Sequence, residues 1–515
     1  MRINKPICAT IAVNWPAADR GGHARRKYFS VMLGVLVLAS VTGSTHAAPT
    51  PLVPIQAAIS ADPGMKPKGP LDPNRPLSQE LFKSAGALLR VVAVGSLMIS
   101  TQTPLPTFDP AIVSLLTGSD LPMASTVTIG DLETSIFNRE TFTGYPYPWD
   151  DAPTPVAVAA VADDLRRLGF LMFSRANEHA LDWGIDGMQA TGKALDNVGV
   201  IHAGTGLRKG LAQSARYYDD PRGRGRIALV SAATTFRPTS DALPEKGASR
   251  GRAGVNALEV DPIRLVTPDQ LKQLQQIACR YKHYGVTHDC TVNSVPVSVT
   301  TLGSTFETGD QSLNYTTDYR LNHHQAEGQL RFIREARENS DLLIVSLHSA
   351  QVADARSVAP RAPRFLETLA HASIDTGTDL VMNTGNPLLG PIEIYWATGR
   401  PPRPIFYGLG NFYWTSGLSP SGASANAKWS VITRTEFINR RLIVDIFPID
   451  LSADGIHPDG WPHLANKSVA EEILRELIAL SHSYGTDIKI LQSGATYRGQ
   501  IVEEGMGGKP NHEYP

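Results

Sequence analysis

This chain has no excess of positive charge, no apolar run long enough to span a membrane, and almost no cysteine. Its 48 lysines and arginines face 49 acids, which excludes the basic surface a nucleic-acid binder needs. Six of those cations, Arg2, Lys5, Arg20, Arg25, Arg26 and Lys27, lie in residues 1–47 against Asp19 alone, so the remainder is mildly acidic. The apolar run from Tyr28 to Val41 is too short to serve comfortably as a permanent transmembrane helix, an uncleaved membrane anchor being the alternative reading. No complete phosphate-loop or dinucleotide pattern is present; Gly204-Thr205-Gly206 reads as a turn. No repeat period and no linker composition divide the middle of the chain.

What is present begins with export. Arg25-Arg26-Lys27, the apolar run and Thr45-His46-Ala47 have the layout of a secretory signal peptide over residues 1–47. Of the three cysteines, Cys8 lies in this leader, and none follows its apolar core as a lipoprotein anchor would require. Cys279 and Cys290 form a close pair, which in an exported chain reads as a disulfide, with a metal site using His283 and His288 as the alternative. The expected location is the periplasm or cell envelope.

Residues 48–84 read as a tether, because the eight prolines of 48–76 come with little apolar periodicity to offset the entropy of ordering. A short helix is expected near Leu77 to Leu89. Strand and helix signals then alternate through residues 85–495, which predicts one large α/β domain with mixed sheets. Thr154 to Leu168 has helical spacing, Thr267-Pro268-Asp269-Gln270 is a capping box opening a helix, and Trp429 to Ile449 alternates like antiparallel strands. Residues 239–257 and 293–320, rich in Gly, Ser and Thr, read as surface loops, and 496–515 as a C-terminal tail.

Ionisable groups cluster at the ends of the apolar runs, where an open α/β sheet places its crevice. Asp131 and Glu133 follow Ala124 to Ile129, and their i, i+2 spacing on extended backbone points both one way. Asn177, Glu178 and His179 follow Phe170 to Phe173 and offer an amide, a carboxylate and an imidazole for a cation or for proton transfer. On these residues alone, a polar helix-entry loop with Asn177 capping is the favoured reading. His348 closes the run Leu342 to Leu347. Tyr145-Pro146-Tyr147-Pro148-Trp149-Asp150 reads as an interlocked surface loop or as an aromatic face for a polymer or sugar.

Taken in order, these segments resemble the CapA capsule-synthesis family of metallophosphatase-like proteins. Ala176-Asn177-Glu178-His179-Ala180-Leu181-Asp182-Trp183-Gly184 is similar to that family's Ala-Asn-Asn-His-(small)-Leu-Asp-(aromatic)-Gly string. Asp131-Leu132-Glu133 resembles its Asn-Leu-Glu segment, and Pro404-Ile405-Phe406-Tyr407-Gly408-Leu409-Gly410-Asn411-Phe412 its Ile-Phe-Tyr-Ser-Leu-Gly-Asn-Phe signature. The resemblance implies a metallophosphatase-like layered α/β sandwich, with Asp131, Glu133, Glu178 and His348 as ligands of a divalent metal and His179 as the catalytic acid or base. Asn177, Asp182 and Asn411 are implied in supporting roles.

The chain departs from the pattern where Ser96 replaces a metal-binding Asp and where Thr384 and Pro387 replace two histidines. Fewer ions than the usual two are therefore expected. The resemblance implies a part in forming a capsule or poly-γ-glutamate-type polymer, with an anionic polymer or phosphate-containing substrate. Two functional classes stay open: a metal-dependent hydrolase or transferase, and a non-catalytic protein binding the polymer or a membrane-bound synthase. A general phosphate-ester hydrolase also fits the fold.

Overall fold

The computed structural model describes residues 89–120, 125–147, 154–221, 225–281, 298–309, 317–351, 361–415, 425–438, 441–494 and 496–505. The leader, the tether, Cys290 and all but the last residue of the expected Leu77–Leu89 helix lie outside them; Leu89 itself opens a strand.

Two mixed sheets carry the architecture. A ten-stranded sheet runs Lys489–Ser493, Thr496–Glu504, Arg441–Asp450, Trp429–Ile438, Leu89–Met98, Ser125–Leu132, Phe170–Ser174, Ile201–Ala203, with Asn411–Trp414 and His463–Leu464 joined beside this path. A six-stranded sheet runs Ile392–Tyr395, Arg403–Phe406, Leu380–Thr384, Leu342–His348, Arg226–Ala233, Arg216–Asp219. Their central strands are parallel and their margins largely antiparallel.

The apolar runs explain the layering. In the Leu89–Met98 strand, Val91 and Ala93 enter a core shared by both sheets, whereas Val92 and Val94 enter the core under helices Pro110–Thr117 and Ala160–Arg167. In Arg226–Ala233, Ile227 and Leu229 point into the shared core, and Ala228 and Val230 point toward helices His323–Glu338 and Arg364–Thr376. Strands buried on both faces read as continuous apolar runs, which is why they were visible in the sequence. Helix Lys467–His482 adds Ile473, Leu474 and Leu477 to the shared core.

The capping box forms: the Gln270 amide donates to Thr267 Oγ1 at 3.2 Å and the Thr267 amide to Gln270 Oε1 at 3.0 Å. Trp429–Ile438 and Arg441–Asp450 pair antiparallel along their whole length. Cys279 is disulfide-bonded.

Three expectations need correction. Thr496–Glu504 is a strand paired with Arg441–Asp450, not part of a tail, because alternate residues Tyr497 and Ile501 bury against the core. Within 293–320, Ser298–Thr301, Ser304–Thr308 and Thr317–Leu321 join Val260–Val266 in a four-stranded sheet, the threonines supplying β-compatible branching. Gly254–Val255 likewise pairs with Thr205–Gly206. The helix expected from Thr154 starts only at Ala160, since Pro155 keeps the preceding stretch extended and Val156–Ala157 pairs with Ser135–Ile136. No helix among the described residues is long and apolar enough to cross a membrane.

Candidate metal centre

The parallel strands of the two sheets end side by side, and their ends bring together residues far apart in sequence. Asp131 lies at the end of Ser125–Leu132, His348 ends Leu342–His348, and Thr384 ends Leu380–Thr384 beside it in register. Glu133 follows Asp131, and Asn177 to Asp182 form the turn after Phe170–Ser174. Asp131, Asp182, Asn177 and His348 are fully buried, Glu133 and His179 nearly so, and Glu178 is half-buried.

His348 sits between two carboxylates. Its Nδ1 lies 2.7 Å from Asp131 Oδ2, and its Nε2 bonds Glu178. Burial alone would depress this imidazole's pKa, but Glu178 and Asp131 together hold it well above the usual histidine value. Glu178 shows the reciprocal effect: burial pushes it up, yet His348 and His179 outweigh this and bring it down to about 2. Glu133 is pushed up to about 7, first by burial and then by Glu178 and Asp131, against the pull of His348. The crevice thus holds more buried carboxylate than its two imidazoles neutralise.

His179 belongs to a second arrangement. Its Nδ1 lies 2.7 Å from Asp182 Oδ2, which fixes the ring and turns Nε2 toward Glu133 Oε2 at 3.9 Å. Burial opposes the imidazolium, but Asp182, Glu133 and Glu178 raise its pKa above the ordinary value. Arg237 approaches the other Asp182 oxygen at 3.8 Å. Asn177 does not cap a helix: the next helix begins only at Gly184. Instead Asn177 Nδ2 donates to Asp131 Oδ1 at 3.0 Å and to the Leu132 carbonyl at 2.9 Å, while its Oδ1 accepts the His179 amide at 3.2 Å. It therefore ties the Asp131 strand end to the turn that carries His179.

Asn411 is the register partner of Ser96, at the margin of the cluster. Ser96 is in turn the register partner of Asp131, and its buried hydroxyl finds no hydrogen-bond partner among the described residues. Thr384 lies within the cluster and donates its hydroxyl to Asp131 Oδ2 at 2.8 Å. Sequence reasoning overlooked Gly385 and Arg237. Gly385 has φ +95°, and a Cβ there would lie 2.9 Å from His348 Nε2. Its only sequence signal was a glycine immediately after a strand. Gly385→Ala is expected to displace the His348 ring and cost about 1–3 kcal/mol. A thermal melt that is unchanged would contradict this packing.

Two triads have ligand atoms close enough for one ion, Asp131–Glu133–His348 and Glu133–Glu178–His179, and they share Glu133. A mixed oxygen and imidazole set with excess negative charge, a carboxyl held near neutrality and an orphaned hydroxyl at its margin fits a borderline divalent cation. To ligate it, His348 must exchange one of its carboxylate contacts for the ion.

An aromatic cluster adjoins the Asp182–Trp183 turn. Phe137 stacks on Phe142 at 4.0 Å, and Trp183 meets both edge-on at 5.2 and 5.9 Å. The Tyr147 amide donates to the Asp182 carbonyl at 2.7 Å, while the Tyr145 and Tyr147 side chains are 83% and 40% exposed. Pro148 to Asp150 lie outside the described residues.

Residues 114–416 match the family described as "Bacterial capsule synthesis protein PGA_cap". The chain belongs to this capsule-synthesis family. It is 31% identical to "Uncharacterized protein y4sH" of Sinorhizobium fredii (strain NBRC 101917 / NGR234) over 440 residues, covering 78% of this chain and 91% of that protein. It is also 31% identical to "Uncharacterized protein y4uA" of the same organism over 443 residues, with the same coverage. The crystal structure of a hypothetical protein from Thermus thermophilus aligns over 73% of this chain and 98% of that one, at 10% identity and a TM-score of 0.27.

Proposed function

We propose that this protein acts at the cell envelope as a metal-dependent hydrolase or transferase in the synthesis of an anionic capsule polymer. The observation that carries this reading is the convergence of Asp131, Glu133, Glu178, His179 and His348 on one crevice at the ends of both sheets. A bound divalent cation would polarise a phosphoryl or carbonyl oxygen and acidify a water. Asp131, Glu133, Glu178 and His348 would hold it, with Glu133 common to both possible triads.

The chain's own groups supply the rest. Asp182 fixes the tautomer of His179 so that Nε2 is the atom that takes or gives a proton at the substrate. Asn177 holds that turn against the Asp131 strand end. The exposed faces of Tyr145 and Tyr147, on a loop tied to the Asp182 backbone, offer a surface along which a polymer can lie. Metallophosphatase-like ancestry and export by the leader belong to the same reading.

A second reading has its own support. Ser96 and Thr384 stand where the CapA pattern has metal ligands, and Thr384 spends its hydroxyl on Asp131. In that case the crevice binds polymer or a synthase without turnover. Assay of the purified protein on phosphodiester and amide-linked anionic polymers, with a panel of divalent metals, separates the two. Metal-dependent cleavage lost on Glu178→Gln supports the enzyme, whereas polymer retention without cleavage under every metal rejects it.

A further inference from the structure

We propose that Asp454, His457 and His463 form a second divalent-cation site, of the zinc class, sharing no residue with the strand-end crevice. Asp454 and His457 lie on the connection between Arg441–Asp450 and the short strand His463–Leu464, and His463 opens that strand as the Cα partner of Asp450. One ligand atom from each falls within 4.8 Å of the others. Asp454 Oδ2 accepts a hydrogen bond from His457 Nδ1 at 3.0 Å, whose proton an ion would replace, and stands 3.7 Å from His463 Nε2. Zinc–ligand bonds of about 2.0–2.1 Å in tetrahedral geometry put neighbouring ligand atoms roughly 3.3–3.4 Å apart, and the two separations bracket that edge.

The orientation of the side chains also favours a cation. Asp454 Oδ1 is occupied by the amides of Ile456 at 2.9 Å and His457 at 2.7 Å, which leaves Oδ2 turned toward the imidazoles. His463 Nδ1 lies 3.3 Å from the Trp461 carbonyl oxygen, which can only accept, so Nδ1 carries the proton. In the neutral ring Nε2 then presents a lone pair, and it faces Asp454 Oδ2 at 3.7 Å and Asp450 Oδ2 at 3.9 Å. A lone pair aimed at two carboxylates is repulsive unless a cation lies between them or the ring takes a second proton. The backbone carbonyl on the far nitrogen is the outer-shell arrangement that metal-binding histidines use.

The loop backbone is preorganised, while the rings of His457 and His463 stack at 4.8 Å with 6° between planes, so one ring must turn out of the stack for both in-plane lone pairs to meet one ion. The Gly460 amide donates to the Leu451 carbonyl at 2.7 Å, and the Trp414 amide to the Gly460 carbonyl at 2.9 Å. The loop is thereby held onto the margin of the large sheet before any ion arrives. Two imidazoles with a carboxylate select zinc, cobalt or nickel over magnesium or calcium, which prefer all-oxygen shells. Bound there, the ion would cross-link the loop to the Asp450–His463 strand pair.

The test is cobalt and zinc titration of the chelator-stripped full-length protein, followed by the visible absorption of cobalt and by calorimetry. His457→Ala, on a partly exposed loop, is expected to lose one equivalent of cobalt, with affinity falling by more than the roughly 10–100-fold that an outer-shell loss costs. His463→Gln should do the same. Glu178→Gln, a change in the crevice, should leave this equivalent in place, so failure of the crevice reading and failure of this one are read separately. Equal stoichiometry and affinity in wild type and a folded His457→Ala variant would overturn the site and leave an imidazolium–carboxylate turn in its place.

Discussion

Replacing Asp379 by alanine is expected to destabilise the protein by about 3–5 kcal/mol, the usual cost of removing one partner from a buried ionic cluster. Asp379 immediately precedes the Leu380–Thr384 strand and is 3% exposed. Its carboxylate accepts from Arg337 at 2.6 Å, Arg403 at 3.0 Å, Arg400 at 3.2 Å and the Leu343 amide at 2.9 Å. Burial would raise its pKa, but Arg337, Arg403 and Arg400 outweigh burial and hold it below the usual value. Burial in turn brings Arg403 down to about 10, against the attraction of Asp379. Alanine would leave these guanidinium groups facing one another without their anion.

The sign with pH follows from the depressed carboxyl. The stabilisation is fully present above the ordinary aspartate value of 3.8 and is lost as pH falls through the lower folded value. Thermal melts of wild type and Asp379→Ala between pH 7 and pH 2 should therefore converge at the acid end. Identical melts at pH 7 would show that the cluster contributes nothing. Because Asp379 lies just before the Leu380–Thr384 strand, at the end away from Thr384, metal uptake by the folded variant should match wild type.

The second large effect concerns the His179–Asp182 pair. Asp182→Asn is expected to lower turnover by about 10²–10⁴-fold while leaving metal content intact, since Asp182 belongs to neither ligand triad of the crevice. The asparagine amide can donate to Nδ1, which moves the ring proton to Nε2 and removes the lone pair that would act as base. A positioning role predicts that kcat falls more than KM changes and that the pH–rate profile is altered. His179→Gln should be at least as damaging. Turnover of Asp182→Asn equal to wild type would contradict the assignment of His179.

How much of this was legible in the chain depended on whether a group announced itself locally. His348 did, because it closes a run buried on both faces, and Glu178-His179 did, because the string around it is distinctive. Asp131 and Glu133 were visible as a pair, but that Asp131 would bond His348, Thr384 and Asn177 depends on contacts between strands of two different sheets. In the sequence Thr384 shows only as a missing histidine; its hydroxyl contact to Asp131 emerges from the fold. The Asp379 cluster was not legible, since its arginines look like ordinary surface cations until the strand edge buries them. The strands of 298–321 were hidden by a composition of Ser, Thr and Gly that favours loops as readily as pleated surface. Thr496–Glu504 was missed because its alternation is interrupted by Gly499, which sits where a Cβ would meet Ile488 and Leu474 at 2.9 and 3.0 Å.

The most direct test of the central claim is metal analysis of protein purified without chelators, in the His457→Ala background that removes the loop site. About one equivalent of divalent metal should remain and should be lost when Glu133, Glu178 and His348 are replaced by glutamine in turn. A folded protein with no stoichiometric metal, or with metal indifferent to all three replacements, would contradict the account.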